Sequence, residues 1–334
     1  MKTTLLRLDR SRQKGFALLT VLMIVALIAM MGSQLLYDQH TNIKRSSHML
    51  HQAQSFAVQW GFESWVKEIL IQDAEDNTYD SQNEHWGQIV GPMPYEGGEL
   101  SARLIDLQGR LNLNNVMDVA GATNAEEQAR QRAVWGSVLK RYAEQNALNE
   151  SFADVVTDWV DTDDIPSAYG AESNQYLLRK PAYSAADQPM VMLSELKLME
   201  GLRDLTREQW VSLQQDLTAL PRVTSINVNT AERRVLIALA DWLTEEVADR
   251  WINERLISPA EKMEQFIDFA ADSTGIPAET IKKDLPDWMI SVNSQYFLLN
   301  TQVDYGESQQ GLSAIFFRES NDKVVLVQRW LSAE

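Results

Sequence analysis

With 334 residues, 45% of them hydrophobic, the chain can bury more than one core, so two or three modules are expected. Acidic residues outnumber basic ones 47 to 30, and a net charge of −17 repels phosphate backbones, which argues against nucleic acid as a partner. The absence of cysteine excludes disulfides, thiolate metal sites and cysteine nucleophiles, and beyond His85 there is no imidazole to act as base or ligand.

Residues 1–15, MKTTLLRLDRSRQKG, set Lys2, Arg7, Arg10, Arg12 and Lys14 against Asp9, a basic segment predicted to stay on the cytoplasmic side. From Phe16 to about Leu36 the run carries no charge. Roughly 20 apolar residues of helix span a hydrocarbon core about 30 Å thick, so a membrane span is expected over 16–36. A secretory signal places its small residue after the apolar run, whereas Gly15 stands before it. The order of basic leader, Lys14-Gly15, Phe16 and apolar helix resembles a type IV prepilin. That resemblance implies cleavage between Gly15 and Phe16 by a prepilin peptidase, with methylation of the new N-terminal Phe16. Most pilins carry Glu at the fifth mature position, which is Thr20 here.

The helical period continues beyond the span through Leu50, Ala53, Ala57, Trp60, Trp65, Val66, Ile69 and Leu70, predicting one helix from Phe16 to about Ile71 whose second half needs a sheet to pack on. His48 and His51 on that helix read as a solvated polar face rather than a metal pair. Leu100, Ala102 and Leu104 alternate with polar residues, Gly109 turns the chain, and Leu111 and Leu113 follow, predicting two strands. Three more strands are predicted from QYFLLNTQVDYG, GLSAIFFRES and KVVLVQRWL at the C-terminus. Between them, capping patterns at Thr123/Glu126, Thr206/Gln209, Asn229/Glu232 and Ser258/Glu261 open a series of helices.

The expected fold is therefore α+β. A pilin-like long N-terminal helix packs on an antiparallel sheet, and a large all-helical domain is inserted between its strands. The division reads as leader 1–15, membrane segment 16–36, pilin-like helix and first strands 37–116, insertion 117–293 in two subdomains, and closing strands 294–334. This arrangement, with Thr20 in place of the usual Glu, resembles the GspK-type minor pseudopilins of type II secretion along essentially the whole chain. The resemblance implies a structural subunit rather than an enzyme, held by one pass in the bacterial inner membrane with its C-terminal domain in the periplasm. It also implies a place at the tip of the pseudopilus, where it initiates or caps assembly. The implied partners are other minor pseudopilins joined helix to helix, the prepilin peptidase and the inner-membrane secretion platform. The alternative is a minor pilin of a type IV pilus or competence system.

RLNLNN (110–115) and SINVNTAE (225–232) form a weak internal repeat in which a hydrophobic/Asn alternation leads into a helix. The second resembles a helix-hairpin-helix opening, but the following ALADWLTEE has no glycine turn and three carboxylates, which disfavours phosphate binding. Asn227 and Asn229 are instead expected to satisfy backbone groups. The chemically loaded stretch is DWVDTDDIPSAYGAESNQY, residues 158–176. Its carboxylates repel one another unless a cation intervenes, and oxygen ligands on a loop suit Ca²⁺. GspK-type proteins hold Ca²⁺ in the insertion, and the resemblance makes Asp161, Asp163, Asp164, Glu172 and Asn174 the candidate ligands, with Asp187 of PAYSAADQP closing the site from a neighbouring loop. The spacing is not an EF-hand, and nothing marks a catalytic carboxylate pair.

Overall fold

The computed structural model describes residues 12–88, 90–95, 97–117, 124–306 and 308–332; most of the leader lies outside this range. A first helix, α1, runs through Arg12–Asp76, about one turn longer at each end than predicted. It stops where Asn77 N–H closes on Asp73 O (3.1 Å) and the Asn77 side chain turns to Glu84 (2.7 Å). The window from Phe16 is long and apolar enough to cross a membrane, and none of it is buried in the protein. The second half is different. There Phe62, Val66 and Leu70 sink into the sheet, as the three-and-four spacing requires.

The sheet begins with β1 (Val90–Tyr95) and β2 (Gly98–Asp106). β1 was not predicted, since Pro92 and Pro94 interrupt it. It survives as an edge strand, where a missing N–H need not break the ladder. After β2 the chain leaves the sheet. It passes through β3 (Leu111–Asn112), α2 (Ala125–Gln145), α3 (Phe152–Val160), α4 (Ser173–Tyr176), α5 (Arg207–Asp216) and β4 (Leu217–Thr218). A second half follows, with β5 (Ile226–Asn227), α6 (Arg233–Leu239), α7 (Glu245–Arg255), α8 (Met263–Thr274), α9 (Ala278–Asp284) and β6 (Ile290–Ser291). The chain then returns as β7 (Tyr296–Tyr305), β8 (Ser308–Ser320) and β9 (Lys323–Ser332). The order β1-β2-β7-β8-β9 is antiparallel throughout, and β7 pairs directly with β2, placing Asp106 opposite Phe297 and Leu104 opposite Leu299.

The insertion therefore begins about ten residues earlier than the predicted boundary at 117. Leu111 and Asn112 do not join the pilin sheet but pair in parallel with Leu217 and Thr218. The other Asn run behaves alike, with Ile226 and Asn227 pairing in parallel with Ile290 and Ser291. Each half of the insertion is thus opened and closed by one short parallel pair, which is the structural content of the weak repeat.

The Thr206/Gln209 capping box forms as predicted. Thr123 lies outside the described residues, and α2 is capped by Asn124, which accepts from Glu127 N–H (3.2 Å). Asn229 does not cap α6, because its amide is taken by both main-chain groups of Ala260 (2.8 and 2.9 Å). Ser258 does not open α8; Gln265 does, accepting from Glu261 and Lys262 N–H. One continuous apolar core joins both halves, with Trp135, Tyr142, Phe152, Tyr176, Trp251 and Phe266 among its largest members.

Candidate functional site

α3 buries Phe152, Val155, Val156, Trp159 and Val160, and this packing fixes the direction in which the acidic loop leaves the helix. Asp161 takes the C-cap, its N–H on Thr157 O (2.9 Å). Asp163 Oδ1 accepts from Ile165 N–H (2.8 Å), folding the loop back in an Asx turn. Farther along, Ser167 N–H donates to both oxygens of the buried Asp158 (3.2 and 3.0 Å). Gly170 packs so closely on Asp158 that a Cβ there would overlap the carboxylate. Glu172 follows, its N–H on Gln175 Oε1 (2.9 Å).

This path brings one oxygen each of Asp161, Asp163 and Glu172 within 4.8 Å of one another. Glu172 is 1% exposed, and neither of its carboxylate oxygens has a hydrogen-bond donor. Burial pushes its carboxyl up to about 7, and the charges of Asp158, Asp161, Asp187 and Asp163 push the same way. A buried carboxylate without donors is costly, and a cation is the partner that relieves it. Asp187 reaches this charge cluster from the neighbouring loop, with its N–H on Trp159 O (3.2 Å) and its backbone left-handed (φ 48°). Its own carboxyl is raised by burial and then by Asp164. Asn174 sits exposed on α4, and none of its described contacts ties it to the cluster. The residue that sequence reasoning missed is Asp158. It occupies an apolar helix face, where a carboxylate is out of pattern, and that mismatch was the available signal.

A second acidic group, Asp73, Asp80 and Glu84, is equally compact but differs in chemistry. Arg318 bonds Asp73 (3.1 Å) and Asp80. Glu84 accepts from Ser81 N–H (2.7 Å), Asn77 Nδ2 (2.7 Å) and Trp86 Nε1 (3.0 Å). Its charges are already compensated by the protein, whereas the Glu172 carboxylate has no donor.

Beside this second group lies the joint between sheet and insertion. Asp106, at the end of β2, accepts from Thr230 Oγ1 (2.5 Å), Ser294 Oγ (2.6 Å) and Asn227 Nδ2 (2.9 Å). Gln108 N–H donates to its other oxygen (2.7 Å). Asn227 also donates to Asp80 O (3.0 Å), while its own Oδ1 accepts from Asn229 N–H (3.0 Å). Asn112, Asn114 and Asn115 do the same work in the first half, bonding Leu220, Arg222, Met190 and Thr224 main-chain groups. Both Asn runs thus satisfy buried backbone, as expected of Asn227 and Asn229.

A helix long and apolar enough to cross a membrane, laid on an antiparallel sheet whose second and third strands are separated by a helical insertion, defines a pilin-like assembly subunit. Two models of the family described as type II secretion system (T2SS), protein K match residues 109–222 and 226–285, a little over half of the chain between them. The division between them falls where the second Asn run begins. The chain is 28% identical over 335 residues to the type II secretion system protein K of Pseudomonas aeruginosa, covering 96% of this chain and 93% of that one. It is 25% identical over 325 residues to that of Aeromonas hydrophila, covering 95% and 97%. Among solved structures, a chain of the GspK-GspI-GspJ complex from enterotoxigenic Escherichia coli superposes with a TM-score of 0.70 at 20% identity, over 87% of this chain and all of that one, which shows the shared fold. The chain belongs to the type II secretion system protein K family and is a minor pseudopilin of that system.

Proposed function

We propose that this subunit is cleaved between Gly15 and Phe16, waits in the inner membrane as a single-pass protein with its sheet and insertion in the periplasm, and then occupies the tip of the pseudopilus. The observation that carries the tip position is Thr20. Threonine has no carboxylate to offer a neighbour's N-terminal amine, and its hydroxyl donates within its own helix to Ala17 O (2.9 Å). A subunit that cannot dock onto one below it is first in the filament. The insertion supports the same place, being larger than the sheet it interrupts. The solved relative is in complex with GspI and GspJ, and we extend that to this chain, whose α1 leaves Ile43, Met49, Leu50 and Trp60 exposed as a face for partner helices. Gold labelling of pseudopili assembled with tagged full-length chain tests this. A single label at one end is expected, and labels along the shaft would exclude the tip. Copurification with pilus subunits in place of the secretion-type minor subunits would favour a type IV minor pilin.

We further propose that Ca²⁺ sits among Asp161, Asp163 and Glu172, with Asp164 of the same loop, Asp187 of the neighbouring loop and Asn174 of α4 as further oxygens. The support is the buried Glu172 carboxylate without donors, a ligand set of hard oxygens only, and loop geometry that tolerates six to eight ligands. The ion would supply positive charge that ties the loop after α3 to the loop carrying Asp187, and no chemistry beyond that.

A further inference from the structure

On the face of the sheet away from α1, a groove of about 240 Å³ separates the strands from the insertion. Leu298, Ile315 and Trp330 form one wall, and Val191, Met192 and Trp210 form much of the other. Arg110 is the one charged residue among those that line it. Its position is fixed by the turn at Gly109, where a Cβ would collide with Thr230 O (2.8 Å), and by Arg110 N–H on Leu107 O (3.3 Å).

Arg110 differs from the other interior arginines. Arg141 and Arg255 are bonded to main-chain carbonyls, while Arg234 and Arg318 are bonded to carboxylates. Among the described residues the Arg110 guanidinium has neither hydrogen bond nor ion pair. Burial lowers its pKa, and the acids that act on it from a distance, Glu232, Asp106 and Asp216, do not bond it. Asp106 is committed to Ser294, Thr230 and Asn227, and Asp216 to Tyr142 (2.7 Å) and Arg234 (2.5 Å). A planar five-donor cation in a groove lined mostly by apolar side chains, with only the uncharged Ser194, Gln214, Thr218 and Gln328 as other polar groups, matches a carboxylate presented bidentately.

We infer that this groove binds the C-terminal residue of a partner polypeptide, its α-carboxylate on Arg110 and an apolar side chain between Trp330 and Met192. Size selects the occupant. The groove is smaller than the roughly 300–1,000 Å³ usual for small-molecule sites and suits about one residue. A chain terminus places a carboxylate and an apolar side chain on the same carbon. An internal Glu would bring backbone in from both directions, for which a one-residue groove has no room. Charge complementarity acts locally, since a chain of net charge −17 attracts no acid except at such a point.

The test uses the full-length chain in detergent micelles and three acetylated peptides, titrated by calorimetry. One ends in Ser-Phe with a free carboxylate, the second is its C-terminal amide, and the third carries an internal Phe-Glu and an amidated end. The free acid is expected to bind at least about tenfold more tightly than either amide. Arg110→Gln should lose that same factor, and Arg110→Lys should fall between. Should Arg110→Gln fail to fold, Ser194→Trp fills the groove and leaves Arg110 in place; it should abolish binding at unchanged melting temperature. Equal binding of acid and amide, no binding of the free acid, or preference for the internal Glu would each overturn the assignment.

Discussion

Glu172 stands in a buried site where nothing donates to its carboxylate, and its pH behaviour follows from that. An acid whose folded pKa lies near 7, above its ordinary value of 4.5, binds a proton more tightly in the native state. Its contribution to stability is complete below pH 4.5 and is lost as pH rises through 7. In EDTA the melting temperature should therefore fall between pH 4.5 and 7.5, by the equivalent of on the order of 3 kcal/mol at most. Glu172→Gln should flatten that slope; a slope that persists in Glu172→Gln would assign it to other groups. Millimolar Ca²⁺ at pH 7.5 should raise the wild-type midpoint by several degrees. Asp163→Ala should abolish that rise, and coincident curves with and without the ion would return the loop to solvent. At the joint, Asp106→Ala should cost about 3 kcal/mol or more in denaturant unfolding, because it strands the donors of Thr230, Ser294 and Gln108 in the interior. A cost under about 1 kcal/mol would show that water replaces the carboxylate.

The two halves of α1 answer to different solvents. Leu70 is fully buried against the sheet, so Leu70→Ala should cost about 2–5 kcal/mol, measurable as a lower urea midpoint. Leu27 lies in the unburied apolar window, so Leu27→Arg should leave the periplasmic fold intact and reduce the membrane-associated fraction on carbonate extraction. A variant that remains wholly membrane-bound would show that Phe16–Leu36 is not the anchor. The elements most legible in the sequence were those with a strong period, namely α1, β7 to β9, and the amphipathic α3 and α7. What was not legible depended on distant partners. β1 was hidden by its prolines, because edge position cannot be read locally. Leu111-Asn112 reads as a sheet strand until its partners Leu217-Thr218, a hundred residues away, are known. The cap at Asn229 failed for the same reason, since Ala260 takes its amide, while that at Ser258 lost to a local rival, Gln265, which accepts from Glu261 N–H. For the acidic loop, residue type and order drew attention to residues 158–176. Only the fold could show that Asp161, Asp163 and Glu172 converge, and that Asp158 is buried beneath them.

At the scale of the molecule, the insertion is an excursion from a hairpin that is otherwise complete. Leu107 N–H bonds Tyr296 O (2.9 Å), so the chain leaves and rejoins the sheet at one point. Replacing residues 108–295 by a short glycine-containing turn should leave the five-stranded order intact, with Asp106→Ser to remove the orphaned carboxylate and Leu298→Thr and Ile315→Thr on the face the insertion covers. Hydrogen exchange over β2, β7 and β8 checks this, and loss of protection there would show that the insertion is part of the sheet's own stability. The variant also separates the two reasons offered for the tip position. If bulk alone keeps the subunit out of the shaft, the deletion should admit it, with gold label along the filament. If the missing carboxylate alone does so, the deletion should remain at the end and Thr20→Glu in the full chain should enter. Both barriers acting together predict that neither single change moves the label and that the combination does, because docking at an N-terminal amine and fitting between stacked sheets are independent requirements. Entry of the unaltered chain along the shaft would mean that neither is a barrier, and the tip assignment would fall.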